Sequence, residues 1–290
     1  MPDLDQFFTR PEIARRCWKY LLPALRELTG RRAEELCFIE PGAGDGVFYD
    51  LFPAAAKRIG LDIAPRRDAF LARDFLEWRY RPKVPRRDVV VVGNPPFGTR
   101  GKTAAAFFNR AAEMADTVAF IVPVIFRKYF IHKQLHSDFR WIYQSALPRD
   151  SFRTDAKKIY AVNTEFQVWT RIPTARENLR LFSPPPISHR DFIMHQYNNT
   201  TDALRVFGEP FDFAVPSQGW QDYARRETDP AKCEKNKQWM LFKPRDRRVY
   251  ERLYRGMDYA VLAQKNTTSI PGFRKGDIVR EYALRYESRA

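Results

Sequence analysis

From Leu36 to Ile172 the apolar residues cluster in short runs, "LCFIE", "IGLDI", "DVVVVGN", "TVAFIVP" and "EFQVWTRI", each bounded by turn or polar residues. Runs of this length and composition predict buried strands. Between two of them, "TAAAFFNRAAEMA" sets Ala106, Phe107, Arg110, Ala111 and Met114 three to four residues apart, the spacing of one helix face. Ahead of the first run, Pro11 to about Leu28 reads as a helix that is bent or broken at Pro23. Strands alternating with helices predict an α/β fold built on a doubly wound parallel sheet. Beyond Arg171 the pattern loosens into Pro184-Pro185-Pro186, Asn198-Asn199-Thr200-Thr201 and scattered aromatic segments. A boundary is expected between 172 and 186, giving a first domain over 1–175 and a smaller, less regular second domain over 176–290.

A chain of 290 residues with 44% hydrophobic content can bury a real core in one large or two moderate domains. The net charge of +15, contributed by both parts of the chain, points to a polyanionic partner. The three cysteines, Cys17, Cys37 and Cys233, form no CxxC pair and have no histidine at metal-ligand spacing, so they read as reduced thiols and no metal is expected. His132, His136, His189 and His195 read as ordinary surface or core histidines. The N-terminus lacks an apolar signal core, and no apolar run is long enough to span a membrane. A cytoplasmic location is expected.

Chemistry concentrates at the ends of the predicted strands. The run Val89–Val92 wants to be buried, yet it leads through Gly93 into Asn94-Pro95-Pro96-Phe97, at the sheet edge where α/β proteins bind ligands. In "FIEPGAGDGVFYDLF" a strand ends in Glu40 and Pro41, and Gly42, Gly44 and Gly46 allow a tight turn that brings backbone against a ligand at the next helix N-terminus. Glu40 and Asp45 would repel a pyrophosphate and suit a cationic ligand. Asp62 closes the next strand, where an acid can accept both ribose hydroxyls of an adenosine; Asp74 and Phe75 follow the third and offer an acceptor and a ring face to an adenine. Any one of these acids alone reads as a cap or a solvated loop residue; the three in succession favour a nucleoside site.

The glycine loop, Asp62, Asp74 and above all "NPPF" resemble the S-adenosylmethionine-dependent amino-methyltransferases, specifically the DNA adenine-N6 methyltransferases that accompany restriction systems or stand alone in phages and bacteria. "DQFFTRPEIARRCW" is similar to that family's other cofactor-binding stretch. One departure is Asn163-Thr164-Glu165, placed where apolar residues are expected. The resemblance implies a Rossmann-like class I methyltransferase fold with a C-terminal recognition domain. It implies that S-adenosylmethionine is held by Phe8, Thr9, Glu40, Pro41, Gly42, Gly44, Asp62, Ile63, Asp74 and Phe75. It also implies that Asn94 and Pro95 accept the N–H bonds of an exocyclic adenine amine, that the prolines Pro95 and Pro96 fix the backbone, and that Phe97 stacks on the base.

Only about 47 residues separate Gly46 from Asn94, too few for an inserted domain, so target recognition is expected C-terminally. Arg127, Lys128, Arg153, Lys157, Lys158, Arg274 and Lys275 are the candidate nucleic-acid contacts, with Arg149, Arg225, Arg226, Arg245, Arg247 and Arg248 behind them; singly, each reads as a solvated charge. Phe130, Tyr197, Trp220 and Trp239 can wedge or stack, or belong to the core. The expected partner is double-stranded DNA flipped open at one adenine, with a cognate restriction nuclease as a further partner. The alternatives are a ribosomal RNA adenine-N6 methyltransferase and a catalytically silent DNA-binding subunit that keeps the fold; glutamine methylation of a protein gives no reason for the charge.

Overall fold

The computed structural model describes residues 7–156, 158–265 and 267–287, and these divide into two units, 1–182 and 183–290. The division falls after Phe182 rather than at 175/176, because residues 176–182 are tied into the first unit. Arg176 pairs with Glu27, and the Arg180 guanidinium donates to the carbonyls of His132, Leu135, His136, Ser137 and Phe139.

In the first unit the strands are β1 (Phe8–Thr9), β2 (Cys37–Pro41), β3 (Lys57–Asp62), β4 (Leu71–Ala72), β5 (Val89–Gly93), β6 (Thr117–Pro123), β7 (Arg140–Ala146), β8 (Phe152–Arg153), β9 (Ile159–Tyr160) and β10 (Thr164–Thr170). Seven of them form one sheet in the order β4-β3-β2-β5-β6-β10-β7. The pairs β3–β4, β2–β3, β2–β5 and β5–β6 are parallel, and β10 inserts antiparallel between β6 and β7. The chain winds outward from β2 through β3 to β4, then returns to β5 on the other side, which makes the β2/β5 gap a topological switch point. This is a Rossmann-like, doubly wound α/β sheet with one antiparallel strand inserted near its edge. Its two faces carry separate cores, since alternate residues of each strand point opposite ways. Val90, Val92 and Phe38 pack under helix α1 (Pro11–Thr29), whereas Val89, Val91 and Ile39 pack under helix α2 (Lys102–Ala112).

Two expectations about helices change. Helix α1 runs unbroken through Pro23, which sits on its exposed face, so the carbonyl of Lys19 deprived of its partner by the proline faces water rather than core. No α-helix follows the glycine loop. Tyr49–Leu51 forms a single 3-10 turn, and Pro53 and the start of β3 at Lys57 leave no room for more. A four-residue helix α3 (Tyr129–His132) completes the unit, and β1, β8 and β9 form a separate small antiparallel sheet.

The second unit carries β11 (Phe192–Tyr197), β12 (Phe213–Gln218) and β13 (Gln238–Pro244) in the antiparallel order β11-β13-β12. Helices α4 (Arg247–Tyr254), α5 (Tyr259–Lys265) and α6 (Lys275–Tyr286) cover the face presented by Phe213, Val215, Met240 and Phe242. Trp239, Leu241 and Tyr197 face the other side, against Cys233 and the 3-10 segment Thr201–Gly208. All three cysteines are free and buried. Among the described residues no helix is long and apolar enough to cross a membrane.

Candidate active site

A cavity of about 400 Å³ opens where β2, β3 and β5 end, at the switch point. The glycine loop forms one wall. Gly44 and Gly46 take positive φ (50° and 78°), and a Cβ on Gly46 would stand 2.5 Å from the Phe70 ring, so only glycine keeps this path. The Asp62 carboxylate accepts N–H bonds from Gly44 and Ala64, both at 2.9 Å, and thereby ties the loop to the end of β3. A carboxylate has about four acceptor positions, so Asp62 retains capacity toward the cavity it lines. Asp74 accepts from the Leu76 N–H at 2.8 Å and also lines the cavity, as does Phe75, whose buried ring packs on Phe107.

Glu40 departs from the simple picture of a charged acid facing a ligand. Its carboxylate is buried and accepts the backbone N–H groups of Tyr49 (2.7 Å) and Phe48 (3.3 Å), so it secures the turn that stands in place of the expected helix. Burial pushes its pKa up to about 8 against the opposing pull of those two hydrogen bonds. It still lines the cavity, as a carboxylic acid at neutral pH.

Val89–Gly93 is wholly buried, and the chain leaves the sheet at Asn94 into the cavity wall formed by Asn94, Pro95, Pro96 and Phe97. Asn94 Nδ2 donates to the carbonyl of Phe7 at 3.2 Å, which fixes the amide plane from outside the motif. Its Oδ1 is buried and without a hydrogen-bond partner among the described residues; so is Thr9 Oγ1, on the same cavity. Buried polar atoms are nearly always paired, so two orphans on one cavity mark places where a ligand completes the bonding. Of the residues expected to hold a cofactor, Phe8, Thr9, Glu40, Gly42, Gly44, Asp62, Ile63, Asp74 and Phe75 line this cavity, while Pro41 stays buried in β2 and does not.

No protein-family model matches the chain, and no curated protein matches its sequence. Among solved structures the chain is similar to a candidate RNA methyltransferase from Pyrococcus horikoshii, with 19% identity and a TM-score of 0.44 over 59% of this chain and 89% of that one. It is similar to the 23S rRNA methyltransferase ErmE, with 15% identity and a TM-score of 0.39 over 62% and 71%. It is also similar to a chain of the DrdV–DNA complex, with 14% identity and a TM-score of 0.42 over 58% of this chain and 26% of that one. What the cavity would hold is decided by its own chemistry.

The basic residues named from the sequence separate into distinct groups. Arg153 pairs with Asp45 of the glycine loop at 2.6 Å, and its guanidinium lies over Phe8 at 5.7 Å. Arg66, which sequence reasoning missed, covers the same ring at 4.2 Å and pairs with Asp155 and with Asp45. Phe7 stacks on Tyr160 at 3.8 Å. The β8–β9 hairpin thus braces the Phe7–Phe8 wall of the cavity from behind, a role no local pattern in its sequence announces. Arg127 pairs with the fully buried Glu165, which also accepts from Gln167. That internal network accounts for Glu165 within the Asn163-Thr164-Glu165 departure and engages Arg127 inward. Arg225 and Arg226 are likewise engaged, with Glu227 and Glu234 and with the carbonyls of Tyr223 and Tyr254. Lys158 and Arg274 are exposed, Lys128 and Lys275 half-buried, and Lys157 lies outside the described residues. Trp239 and Tyr197 are core, whereas Trp220 is 75% exposed. In the second unit His189, Asp191 and Glu287 lie together, but His189 Nδ1 accepts the Asp191 N–H and Arg190 and Arg245 stand on the acids, so ion pairing explains the group.

Proposed function

We propose that the protein is an S-adenosylmethionine-dependent methyltransferase acting on the N6 amine of an adenine flipped out of duplex DNA. The reading rests first on Asn94, an amide held by the Phe7 carbonyl with its own oxygen buried, unpaired and on the cavity. Asp62 and Asp74 would take the ribose hydroxyls and the adenine amino group of the cofactor, Phe75 would pack on its ring, and Thr9 Oγ1 and Glu40 would meet its methionine end. Bound there, S-adenosylmethionine supplies a methyl group on a positively charged sulfur.

The chain's own contribution is to the amine. That nitrogen is a poor nucleophile because its lone pair is delocalised into the ring. Asn94 Oδ1 and the Pro95 carbonyl accept its two N–H bonds, draw it toward tetrahedral geometry and stabilise the positive charge it acquires. The nitrogen then releases one proton to solvent. Phe97 stacks on the base, and its ring is held edge-on by Phe152 at 6.0 Å. No group on the enzyme needs to form a covalent bond, and positioning supplies most of the acceleration.

The deciding experiment expresses the protein in a host without methylated DNA and maps modified bases at single-nucleotide resolution, with ribosomal RNA from the same cells as the comparison. N6-methyladenine at a recurring DNA sequence, absent with Asn94→Ala, supports the reading. Modified RNA with unmodified DNA overturns the DNA target in favour of RNA.

A further inference from the structure

Beyond the edge of β12, the chain forms a short two-stranded ribbon that the cavity does not use. Phe273 N–H donates to the Ser217 carbonyl and Gly219 N–H to the Pro271 carbonyl, both at 2.9 Å, and Gln218 bridges Gly272. Trp220 and Ile270 each lie one residue beyond the Gly219–Pro271 hydrogen bond, and both are exposed. Exposure alternates over Ser217–Trp220, whereas Pro271, Gly272 and Phe273 are all buried between the exposed Ile270 and Arg274. Ser217, Pro271 and Phe273 are buried, whereas Gln218, Trp220 (75% exposed), Ile270 (54%) and Arg274 are open to solvent.

The ribbon is braced from behind. Phe273 packs against Tyr259 at 5.4 Å, the Tyr223 hydroxyl donates to the Gly219 carbonyl at 2.6 Å, and the Gln221 side chain donates to the Gln218 carbonyl. The nearby acids are engaged by backbone. Asp277 accepts the Arg274 N–H at 3.0 Å, and Asp222 accepts the Ala224 N–H at 2.8 Å. What remains exposed is an indole, an isoleucine side chain, one amide and one guanidinium, on a braced support in a chain of net charge +15.

We infer that this ribbon is the sequence-reading element for duplex DNA. The inference rests on the DNA target proposed above and adds to it the surface that reads the site. A two-stranded ribbon fits the major groove, a glutamine amide can pair bidentately with an adenine edge, and an exposed aromatic–aliphatic pair can wedge at a base step. Arg274 holds the backbone or a guanine edge. Charge complementarity favours DNA over a protein partner, since no exposed acid of the ribbon opposes the guanidinium.

The test uses the full-length protein, fluorescence anisotropy on a duplex carrying the mapped methylation site and a scrambled duplex, and calorimetry of S-adenosylmethionine binding. Gln218→Ala and Trp220→Ala should each weaken binding to the mapped site about tenfold, as loss of one base contact does, with the scrambled duplex little changed. Arg274→Ala should weaken both duplexes if it holds phosphate, with a shallower salt dependence, or the mapped site alone if it reads a base. Cofactor binding should be intact in all three variants, which also shows that they fold. If all three bind both duplexes as the wild type does, while the wild type still methylates the site, the ribbon assignment is overturned and the methyltransferase reading stands. If the wild type binds the cofactor but neither binds nor methylates DNA, the DNA target and the ribbon fail together. If Trp220→Ala instead dissolves a self-associated form in sedimentation and leaves DNA binding alone, the ribbon is a contact between copies.

Discussion

Asn94 and Glu40 are both polar side chains carried into an apolar setting, and the consequences differ. For Asn94 the unpaired Oδ1 costs stability, which the amine of the proposed substrate would recover by donating to it. Asn94→Ala should therefore lower kcat by at least about 100-fold, as removal of one preorganised transition-state hydrogen-bond partner does, with cofactor affinity changed less than about twofold by calorimetry. For Glu40 the pKa of about 8 means that the folded protein keeps a proton the unfolded chain releases at the ordinary carboxylate value. Its stability contribution is complete below that ordinary value and is lost as pH rises through 8, so Glu40→Gln should flatten the alkaline fall of the urea midpoint. A cationic ligand beside the carboxyl favours the ionised form, so S-adenosylmethionine should bind more tightly and release a proton as pH approaches about 8, a linkage the glutamine variant should lack. The positions of both residues at strand ends were legible in the sequence, because the valine run and the glycine loop mark those ends. Their burial and partners were not, since Phe7, Phe48 and Tyr49 reach them through the fold.

At the level of elements, periodicity reported strands well and connections poorly. The five apolar runs are β2, β3, β5, β6 and β10, but β7 was not singled out, because its exposure is mixed and its sequence "RWIYQSA" is neither continuously apolar nor cleanly alternating. The two-residue strands β1, β8 and β9 are too short to show a period, and only their pairing around the cavity gives them meaning. Pro23 illustrates the opposite error, a strong local signal overruled by where the residue faces. On the solvent side of α1 it interrupts one hydrogen bond without opening the core, so Pro23→Ala should raise stability by about 1–2 kcal/mol in urea melts, the helix-interior cost less the freedom regained by the unfolded chain.

For the molecule as a whole, charge and geometry set different parts of the proposed encounter. A base within a duplex cannot reach a cavity walled by Asn94 and Phe97 without leaving its stack, at a cost of a few kcal/mol. Mispairing the target adenine meets part of that cost beforehand and should tighten binding in gel-shift titrations, while added salt should weaken matched and mismatched duplexes alike. The net charge was legible from composition; the change of character after Arg171 did not give the residue at which the units divide, because Arg176 and Arg180 bind back to the first unit, and which arginines face outward was not legible either, since Arg127, Arg225 and Arg226 look no different in sequence from Arg274. The clasp around Phe8 carries a kinetic consequence. Arg66 and Arg153 grip that ring and reach Asp45 and Asp155 through ion pairs that are partly open to solvent, a kind that salt screens readily. Salt should thus shorten the dwell time of the small molecule in its cavity as well as detach the polyanion, and stopped-flow release measured without any nucleic acid present should accelerate with ionic strength more steeply in the wild type than in Asp45→Asn, which keeps only the Arg66–Asp155 pair.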